Sequence, residues 1–229
     1  MEIDLNEIRD KLTDRLRPSG WADKLKGFVF SSDFDKIIEG LYTLRESGKR
    51  FTPIVKHSMR AFEECPYKDL KVVIIGQDPY PTLSIADGVA FSCSLSQRAQ
   101  PSLEYIFNAL TAEGIEHSSN PDLTRWANQG VLLLNYALTC EVNKPGTHYE
   151  LWKDFMAYTL DMINAYPEPL VFIFMGKKAQ ELMPLIGDRH HKIITSHPVS
   201  ASYSGKQWDS RNCFTETNEK LDENKRITW

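Results

Sequence analysis

Four short apolar runs, each ending in polar or conformationally special residues, constrain the fold of this chain more than any other feature of its sequence. They read KVVIIG (71–76), GVLLLN (130–135), LVFIFMG (170–176) and HKIITSHP (191–198). Runs of this length and composition are typical of strands that are buried on both faces of a parallel sheet. The sequence therefore predicts four such strands.

Helical patterns precede and separate these runs. Apolar residues recur at helical spacing in 5–16, 31–49, 101–114, 149–166 and 177–186, and the second of these segments begins with a Ser/Asp cap. Strands that alternate with helices predict a three-layer α/β/α fold around a central, mostly parallel four-stranded sheet. Because no repeat, low-complexity tract or long linker divides the chain, we expect a single domain over residues 1–229, with an N-terminal helical segment (1–52) packed on it.

Composition limits the environments in which the chain can work. Hydrophobic residues make up 41% of its 229 residues, yet no run approaches the roughly 18 apolar residues that a membrane span needs. The acidic N-terminus also lacks the basic and apolar regions of a signal peptide. We expect no membrane association and a cytoplasmic location, or a nuclear one in a eukaryote. The net charge of −4 argues against indiscriminate coating of nucleic acid but is compatible with a local basic groove.

The cysteines do not form a recognisable metal-binding pattern. Cys65, Cys93, Cys140 and Cys213 are far apart, without the paired spacing of a zinc site or the tight run of an iron-sulfur cluster. We expect reduced thiols, no metal and no cofactor.

The ends of the predicted strands indicate where a site would lie. Parallel sheets bind ligands beyond the carboxyl ends of their strands. The four runs lead into GQDPY, LNYALT, MGKK and SHPVS. Strand ends are also polar simply because they meet solvent, so each segment alone is a weak signal.

Together these segments resemble the family 1 uracil-DNA glycosylases. GQDPYP is similar to the water-activating motif of that family, GVAFS to the segment with its stacking aromatic, GVLLLNYALT to the segment with its base-reading asparagine, and SHPVSAS to its His-Pro loop, which enters the DNA minor groove. The similarity extends from PIVKHSMRAF, which begins at residue 53, to the final ITW. It implies that the chain flips uracil out of DNA and hydrolyses its N-glycosidic bond, without a cofactor.

The chemistry of that reaction assigns roles to two residues. An N-glycosidic bond breaks through an oxocarbenium-like sugar while the departing base takes negative charge, so the catalyst needs an anion beside the sugar and donors beside the base. Asp78 is the candidate anion and water activator, restrained by a proline on one side and with the Gln77 backbone N–H facing the same pocket. His197 is the candidate donor to uracil O2, and the resemblance implies a neutral imidazole. A structural histidine held by a backbone carbonyl is the alternative.

Three further residues are candidates for reading the base. The Asn135 amide can match uracil O4 and N3–H, or merely cap its strand. Phe91 can stack on the extruded base, or be ordinary core. Tyr80 can exclude the C5 methyl group of thymine by steric clash, or be a packing tyrosine.

The resemblance also implies loops that grip the DNA backbone. The predicted DNA-contact residues are Pro101, Ser102, Gly176, Lys177, Pro198, Val199, Ser200, Ala201 and Ser202. Lys178, Lys206 and Arg211 would add positive charge around them, whereas the basic run at 188–192 is interpreted as a solvated face.

Three residues depart from the family pattern. Pro81 stands where most members have histidine, although a poxvirus branch also has proline, and Lys177 replaces a common serine. Ala201 aligns with the leucine that wedges into the vacated base stack. Alanine buries less apolar area, so we expect a weak wedge and a stronger preference for single-stranded uracil-DNA, unless Val199 takes over the role.

Two other functions are compatible with parts of the sequence. The first is a glycosylase-fold DNA-binding module that tethers a replication partner. The second is a phosphate-hydrolysing α/β enzyme, but no run has the full phosphate-loop spacing and no acidic pair suited to magnesium stands out. We expect a monomer that acts on single- and double-stranded uracil-containing DNA, and the resemblance leaves room for a DNA-mimic protein inhibitor.

Overall fold

A parallel four-stranded sheet forms the centre of the structure, a computed structural model that describes residues 4–229 apart from the side chains of Tyr203 and Ser204. The strands are β1 (Phe51–Thr52), β2 (Val72–Gly76), β3 (Val131–Asn135), β4 (Cys140–Glu141), β5 (Val171–Met175) and β6 (His191–Thr195). The central sheet has the order β3-β2-β5-β6 with all neighbours parallel, while β1 and β4 form a short antiparallel pair. All four predicted strands are therefore present in a parallel sheet, as expected.

Helices surround this sheet. They are α1 (Leu5–Leu16), α2 (Trp21–Val29), α3 (Ser32–Glu46), α4 (Arg60–Glu64), α5 (Pro101–Ala112), α6 (Thr124–Ala127), α7 (Tyr149–Asn164), α8 (Lys177–Gln180) and α9 (Cys213–Lys220). Every residue of β2 and β5 is buried, which requires helices on both faces of the sheet. The predicted three-layer α/β/α class is confirmed.

The N-terminal helices begin at polar caps and pack on the rest of the chain. The Asp4 side chain accepts the backbone N–H of Glu7 at the start of α1, and Ser31 does the same for Phe34 at the start of α3. Helices α2 and α3 both contact α7. Through these contacts residues 4–52 share one continuous apolar core with the sheet.

Two helical features differ from the sequence-based expectations. The helix predicted over 177–186 is only α8, followed by a 3-10 turn at Met183–Leu185. Pro184 lies inside this segment, and proline lacks the N–H that an α-helix interior needs. Helices α2, α4, α6 and α9 were not expected, because they are short and begin without a side-chain cap.

The cysteines lie in the protein interior. All four cysteines are unpaired and buried. None of the helices within residues 4–229 combines the length and apolar composition that crossing a bilayer requires.

The sheet topology brings the four motifs to one edge. Gly76 at the end of β2 is in register with Asn135 at the end of β3, and Met175 of β5 with Thr195 of β6. The chain moves from β2 to β3 on one side and later returns to β5 on the other side. Such a reversal at the carboxyl edge opens a crevice between the loops, where α/β proteins bind ligands.

Candidate active site

A cavity of about 490 Å³ opens at this carboxyl edge. Asp78 enters its lining from the turn after β2, Asn135 from the end of β3, and His197 from the segment after β6. Phe91 and Tyr80 complete the set of base-contact candidates that line the same cavity. Residues far apart in the sequence thus meet around one space.

The Asp78 carboxylate is half-buried and anchored through one of its two oxygens. Its Oδ2 accepts a 2.5 Å hydrogen bond from the Tyr149 hydroxyl, whereas Oδ1 is buried and has no hydrogen-bond partner among the described residues. Burial raises the pKa of the carboxyl. The Tyr149 hydroxyl, the amides of Gly146 and Gln77, and the charge of Lys178 oppose that rise. Oδ1 therefore has unused acceptor capacity.

The backbone around Asp78 is tied to the neighbouring turn. The N–H of Tyr136 donates to the carbonyl of Gly76 (3.1 Å), and that of Ala137 to the carbonyl of Gln77 (3.5 Å). A proline follows the aspartate and fixes its own φ. These constraints limit the directions in which the carboxylate can point.

His197 is held so that one particular ring nitrogen carries the proton. Its Nδ1 accepts the backbone N–H of Val199 at 3.3 Å, which leaves the proton of a neutral ring on Nε2. Burial lowers the pKa of His197 to about 4, so the ring is neutral at pH 7. Gly176 permits this position, because a Cβ there would lie 2.9 Å from the Cβ of His197.

Asn135 and Phe91 approach each other across a glycine. Gly76 lacks a Cβ, and one placed there would lie 2.7 Å from Asn135 Oδ1 and 2.9 Å from the Phe91 ring. Phe91 has a φ of +65°, a left-handed conformation that costs a bulky residue about 1–3 kcal/mol. Its ring centroid is 6.0 Å from that of His197. The strained backbone thus holds an aromatic ring near both the amide and the imidazole.

Tyr80 is fixed against the same segment. Its hydroxyl donates a 2.9 Å hydrogen bond to the carbonyl of Phe91. Burial raises the pKa of Tyr80 well above its usual range, so the hydroxyl remains a donor at neutral pH. A ring bonded in this way is a rigid part of the cavity wall.

Comparison with known proteins shows which family has this arrangement. A family model for the uracil-DNA glycosylase superfamily matches residues 62–222, which include every cavity residue described above. The chain belongs to the uracil-DNA glycosylase superfamily.

Individual relatives of this superfamily member cover most of its length. The uracil-DNA glycosylase of Coxiella burnetii (strain RSA 493 / Nine Mile phase I) is 38% identical over 201 residues, 86% of this chain and 87% of the relative. That of Acinetobacter baumannii (strain SDF) is 33% identical over 216 residues, 93% and 91% of the two chains. A crystal structure of a mimivirus UNG variant in complex with UGI has a TM-score of 0.81 at 26% identity, covering 91% of this chain and 87% of that one. Assignment to family 1 in particular stays a prediction.

Some predicted DNA-contact residues of this superfamily member line the cavity. Pro101 and Ser102 begin α5, and Val199 and Ser200 follow His197 in a segment that contacts α5. Ser200 also donates its hydroxyl to the carbonyl of His197 at 2.6 Å, which tightens the turn.

The other predicted contact residues lie outside the cavity lining, and two of them differ from expectation. Lys177 and Ser202 are exposed, and Pro198 is buried. The Gly176 N–H is not available to a phosphate, because it already donates to the last residue of β6 at 3.0 Å. Ala201 is only 8% exposed and packs into the core, so the position aligned with the wedge points inward.

Sequence reasoning missed Tyr149 and its neighbour Lys178 as parts of the site. Tyr149 begins α7, and the sequence marks it only as the start of a helical pattern. Lys178 was expected beside DNA phosphates, yet its Nζ lies 4.5 Å from the centroid of the Tyr149 ring. Neither contact has a local sequence signal.

A buried ion pair that supports the Phe91 segment was also missed. Asp87 is 1% exposed and lies 3.0 Å from Nη1 of Arg60. It accepts the N–H of Val89 (3.0 Å) and the hydroxyl of Ser92 (2.6 Å), one on each side of Phe91. The sequence around Asp87, which Gly88 follows directly, gives no hint that its partner lies in α4.

Among residues 4–229, no three His, Cys, Asp or Glu side chains are grouped so that they could hold a metal ion. That the reaction needs no cofactor stays a prediction.

Proposed function

We propose that this chain hydrolyses the N-glycosidic bond of deoxyuridine in DNA, releasing free uracil and leaving an abasic site. One observation carries the proposal: a carboxylate with a free oxygen, a neutral imidazole N–H donor and an amide line one cavity of about 490 Å³. A cavity of this size can admit a flipped pyrimidine nucleotide. The membership in the superfamily and the names of the relatives support the same activity.

Asp78 acts on the sugar side of the bond. As the bond lengthens, positive charge develops on the deoxyribose, and the ionised carboxylate stabilises it. Oδ1 accepts a hydrogen bond from the attacking water and takes its proton, while Oδ2 stays bonded to Tyr149. Because the carboxylate is oriented before the substrate arrives, little further ordering is needed during the reaction.

His197 acts on the base side. Its Nε2–H donates to uracil O2, where the negative charge of the leaving base collects. An imidazole with a pKa of about 4 is a neutral electrophile at pH 7 and does not hand over a proton as a charged acid would. The uracil therefore leaves as an anion that this donor stabilises.

Asn135, Phe91 and Tyr80 select the base. The Asn135 amide pairs with O4 and N3–H, which cytosine cannot match. Phe91 stacks on the ring, a contact worth about 1–3 kcal/mol. Tyr80, bonded to the backbone of Phe91, occupies the space that the C5 methyl group of thymine would need.

DNA contacts offset the cost of rotating the base out of the stack, which is about a few kcal/mol. Pro101 and Ser102 present the N-terminus of α5 to a phosphate, and the exposed Lys177 supplies positive charge. Both single- and double-stranded DNA fit this scheme.

Partners and cellular location follow from the proposed activity. One cavity suffices for the reaction, so we propose a monomer that acts wherever DNA is held, in the cytoplasm or in a nucleus. A protein that mimics DNA would compete for the same face, as the complex of the mimivirus UNG variant with UGI suggests for that relative. Tethering of a replication partner is not favoured over catalysis.

The test is release of uracil from single-stranded DNA that carries one labelled deoxyuridine, assayed with a chelator present. We expect free uracil and an alkali-labile site. Asp78→Asn should lower the rate about 10²–10⁴-fold without changing the melting temperature appreciably. No uracil release by the wild type would contradict the proposal, and activity that disappears with chelator would indicate a metal-dependent reaction instead.

A further inference from the structure

The hydroxyl of Tyr149 makes the short contact that fixes the Asp78 carboxylate. The 2.5 Å hydrogen bond to Oδ2 joins two residues that are 71 positions apart, one in the turn after β2 and one at the start of α7. Hydrogen bonds to a charged acceptor are shorter and stronger than neutral ones. This bond leaves Oδ1 free on the other side of the same carboxyl group.

The Tyr149 ring is itself held in place from two directions. The ring of Tyr136 meets it edge-on, with centroids 5.2 Å apart and planes at 70°. The Lys178 ammonium lies over both rings, 4.5 Å from the centroid of Tyr149 and 4.4 Å from that of Tyr136. Glu181 accepts a hydrogen bond from the same ammonium at 2.6 Å. Cations over aromatic faces are attracted by the ring quadrupole, so the arrangement resists rotation of Tyr149.

We infer that Tyr149 is a positioning residue for the water-activating carboxylate, and that Lys178 acts through the Tyr149 ring and not mainly on DNA. The inference rests on the proposed function, because it assigns to Tyr149 the task of keeping Asp78 ionised and correctly turned. A single hydroxyl bonded to Oδ2 prevents the carboxyl group from rotating and directs Oδ1 to the water.

The groups that face Asp78 determine its charge as well as its direction. The structure places the Tyr149 hydroxyl, the Cys140 thiol and the Lys178 ammonium near it, together with neutral amides of Gln77 and Gly146. Burial raises the pKa of Cys140 to about 12 and also that of Tyr149, so both stay neutral at pH 7. Of these titratable neighbours, Lys178 is the one that carries charge. Tyr149 and Lys178 therefore work together against the burial that favours a protonated Asp78.

Two adjacent lysines thus differ in their surroundings. The Lys178 side chain is 22% exposed and in contact with two tyrosines and a glutamate. Lys177 is exposed. We assign the DNA-phosphate contact to Lys177 and the support of the carboxylate to Lys178.

The first experiment measures the pH dependence of single-turnover uracil release by the wild type, Tyr149→Phe and Tyr136→Phe. Loss of the Tyr149 hydroxyl removes a bond that favours ionised Asp78. The pKa of the carboxyl then rises, and activity is lost at a higher pH as the pH falls. We expect the midpoint of the acidic limb to move up by about 1 pH unit or more in Tyr149→Phe, together with a lower plateau rate.

Tyr136→Phe is the matched control, because it also removes one phenol hydroxyl from the same pair of rings but none that bonds Asp78. Its acidic midpoint should equal that of the wild type. A Tyr149→Phe midpoint equal to that of the wild type would overturn the inference.

The second experiment does not depend on catalysis. The carboxyl carbon of Asp78 is titrated by ¹³C NMR in the folded wild type and in Tyr149→Phe, with Asp78→Asn identifying the signal. We expect the same upward shift of its midpoint. Absence of uracil release by the wild type would contradict the proposed function, whereas an unshifted Asp78 titration in Tyr149→Phe would contradict only the present inference.

A third comparison separates the two lysines. Lys178→Met should move the acidic midpoint upward, by less than Tyr149→Phe does, because it removes a charge farther from Asp78. Lys177→Met should leave the midpoint unchanged and reduce the salt dependence of DNA binding, by about one unit in the slope of log affinity against log salt. An unshifted midpoint in Lys178→Met would refute its supporting role.

Discussion

At the scale of single residues, burial moves the pKa values of the two proposed catalytic groups in opposite directions. It raises the pKa of Asp78 and lowers that of His197, and in each case favours the neutral form. A neutral imidazole is what a hydrogen-bond donor to the base requires. A neutral carboxyl would be useless as a base, so Asp78 needs the hydrogen bonds that His197 can do without. The polar contacts of the site therefore serve mainly to keep the aspartate ionised.

The state of His197 can be measured directly. We expect ¹⁵N NMR at pH 7 to show a protonated Nε2 and an unprotonated Nδ1, because Nδ1 accepts the Val199 N–H. With a pKa of about 4, the ring should gain its second proton only well below pH 6. A ring that titrates near 6.5, the ordinary value for histidine, would contradict the assigned environment.

Exclusion of thymine should depend on the Tyr80 ring and not on its hydroxyl. Tyr80→Ala opens the wall of the cavity, so we expect measurable release of thymine from DNA. Tyr80→Phe keeps the ring and loses only the 2.9 Å bond to Phe91, and it should continue to reject thymine. Persistent exclusion of thymine by Tyr80→Ala would show that another group forms the wall.

Residues with local motifs could be predicted from the sequence, and those without could not. Asp78, Asn135 and His197 each follow or end an apolar run, and parallel strands bring such positions to one edge of a sheet. Tyr149 is at the start of an amphipathic helix, where a tyrosine is ordinarily a packing residue. Its role depends on how α7 meets the turn after β2, which is a tertiary contact with no short-range signal.

At the scale of elements, the 3-10 helix Pro198–Ser204 decides which side chain faces the cavity after His197. Val199 lines the cavity and is half-buried, whereas Ala201 is 8% exposed and belongs to the core. Alignment of the motif points to Ala201 as the wedge, but the turn points it inward. Val199 is then the apolar side chain better placed to enter the vacated stack.

Substitutions in this turn should separate the two positions. Val199→Ala should slow uracil release from duplex DNA more than from single-stranded DNA, because only the duplex needs a wedge. Ala201→Leu should lower the melting temperature, since overpacking a filled site costs about 1–3 kcal/mol. If Ala201→Leu instead accelerated duplex excision without loss of stability, Ala201 and not Val199 would be the wedge position. The wild type should prefer single-stranded substrate in either case.

Strands were easier to predict than short helices. Runs such as VVIIG are buried from end to end, and the composition alone indicates that. The segment 177–186 has helical periodicity but contains Pro184, and α8 ends at Gln180, ahead of a 3-10 turn that includes the proline. Helical periodicity depends only on which residues are apolar. Whether a helix continues depends on its backbone hydrogen bonds, and a proline removes one of them.

At the scale of the whole molecule, the N-terminal helices are part of the same packing unit as the sheet. Phe28 of α2 meets Phe155 of α7 with ring centroids 5.3 Å apart, and the Trp21 indole donates to the carbonyl of Cys65 at 2.8 Å. Burial of each such side chain contributes about 1.5–3 kcal/mol. We propose that residues 1–229 form one domain.

Unfolding should therefore be a single cooperative transition. In urea, the fluorescence of the five tryptophans, of which only Trp21 is in the N-terminal segment, and far-UV circular dichroism should give coincident midpoints, because that segment and the sheet unfold together. A chain lacking residues 1–52 would expose the Phe155 face of α7 and should not fold cooperatively. Two resolved transitions in the full chain would instead indicate an independent N-terminal unit.

Alkylation of the buried cysteines can measure how often the structure around each of them opens. Burial holds the pKa of Cys93 at about 11 and that of Cys140 at about 12, so at neutral pH neither is a thiolate that an alkylating reagent could attack. Alkylation can then occur only when the structure around the thiol opens transiently and admits water. The labelling rate of each thiol, followed by mass spectrometry on the unaltered protein, reads out how often its own neighbourhood comes apart.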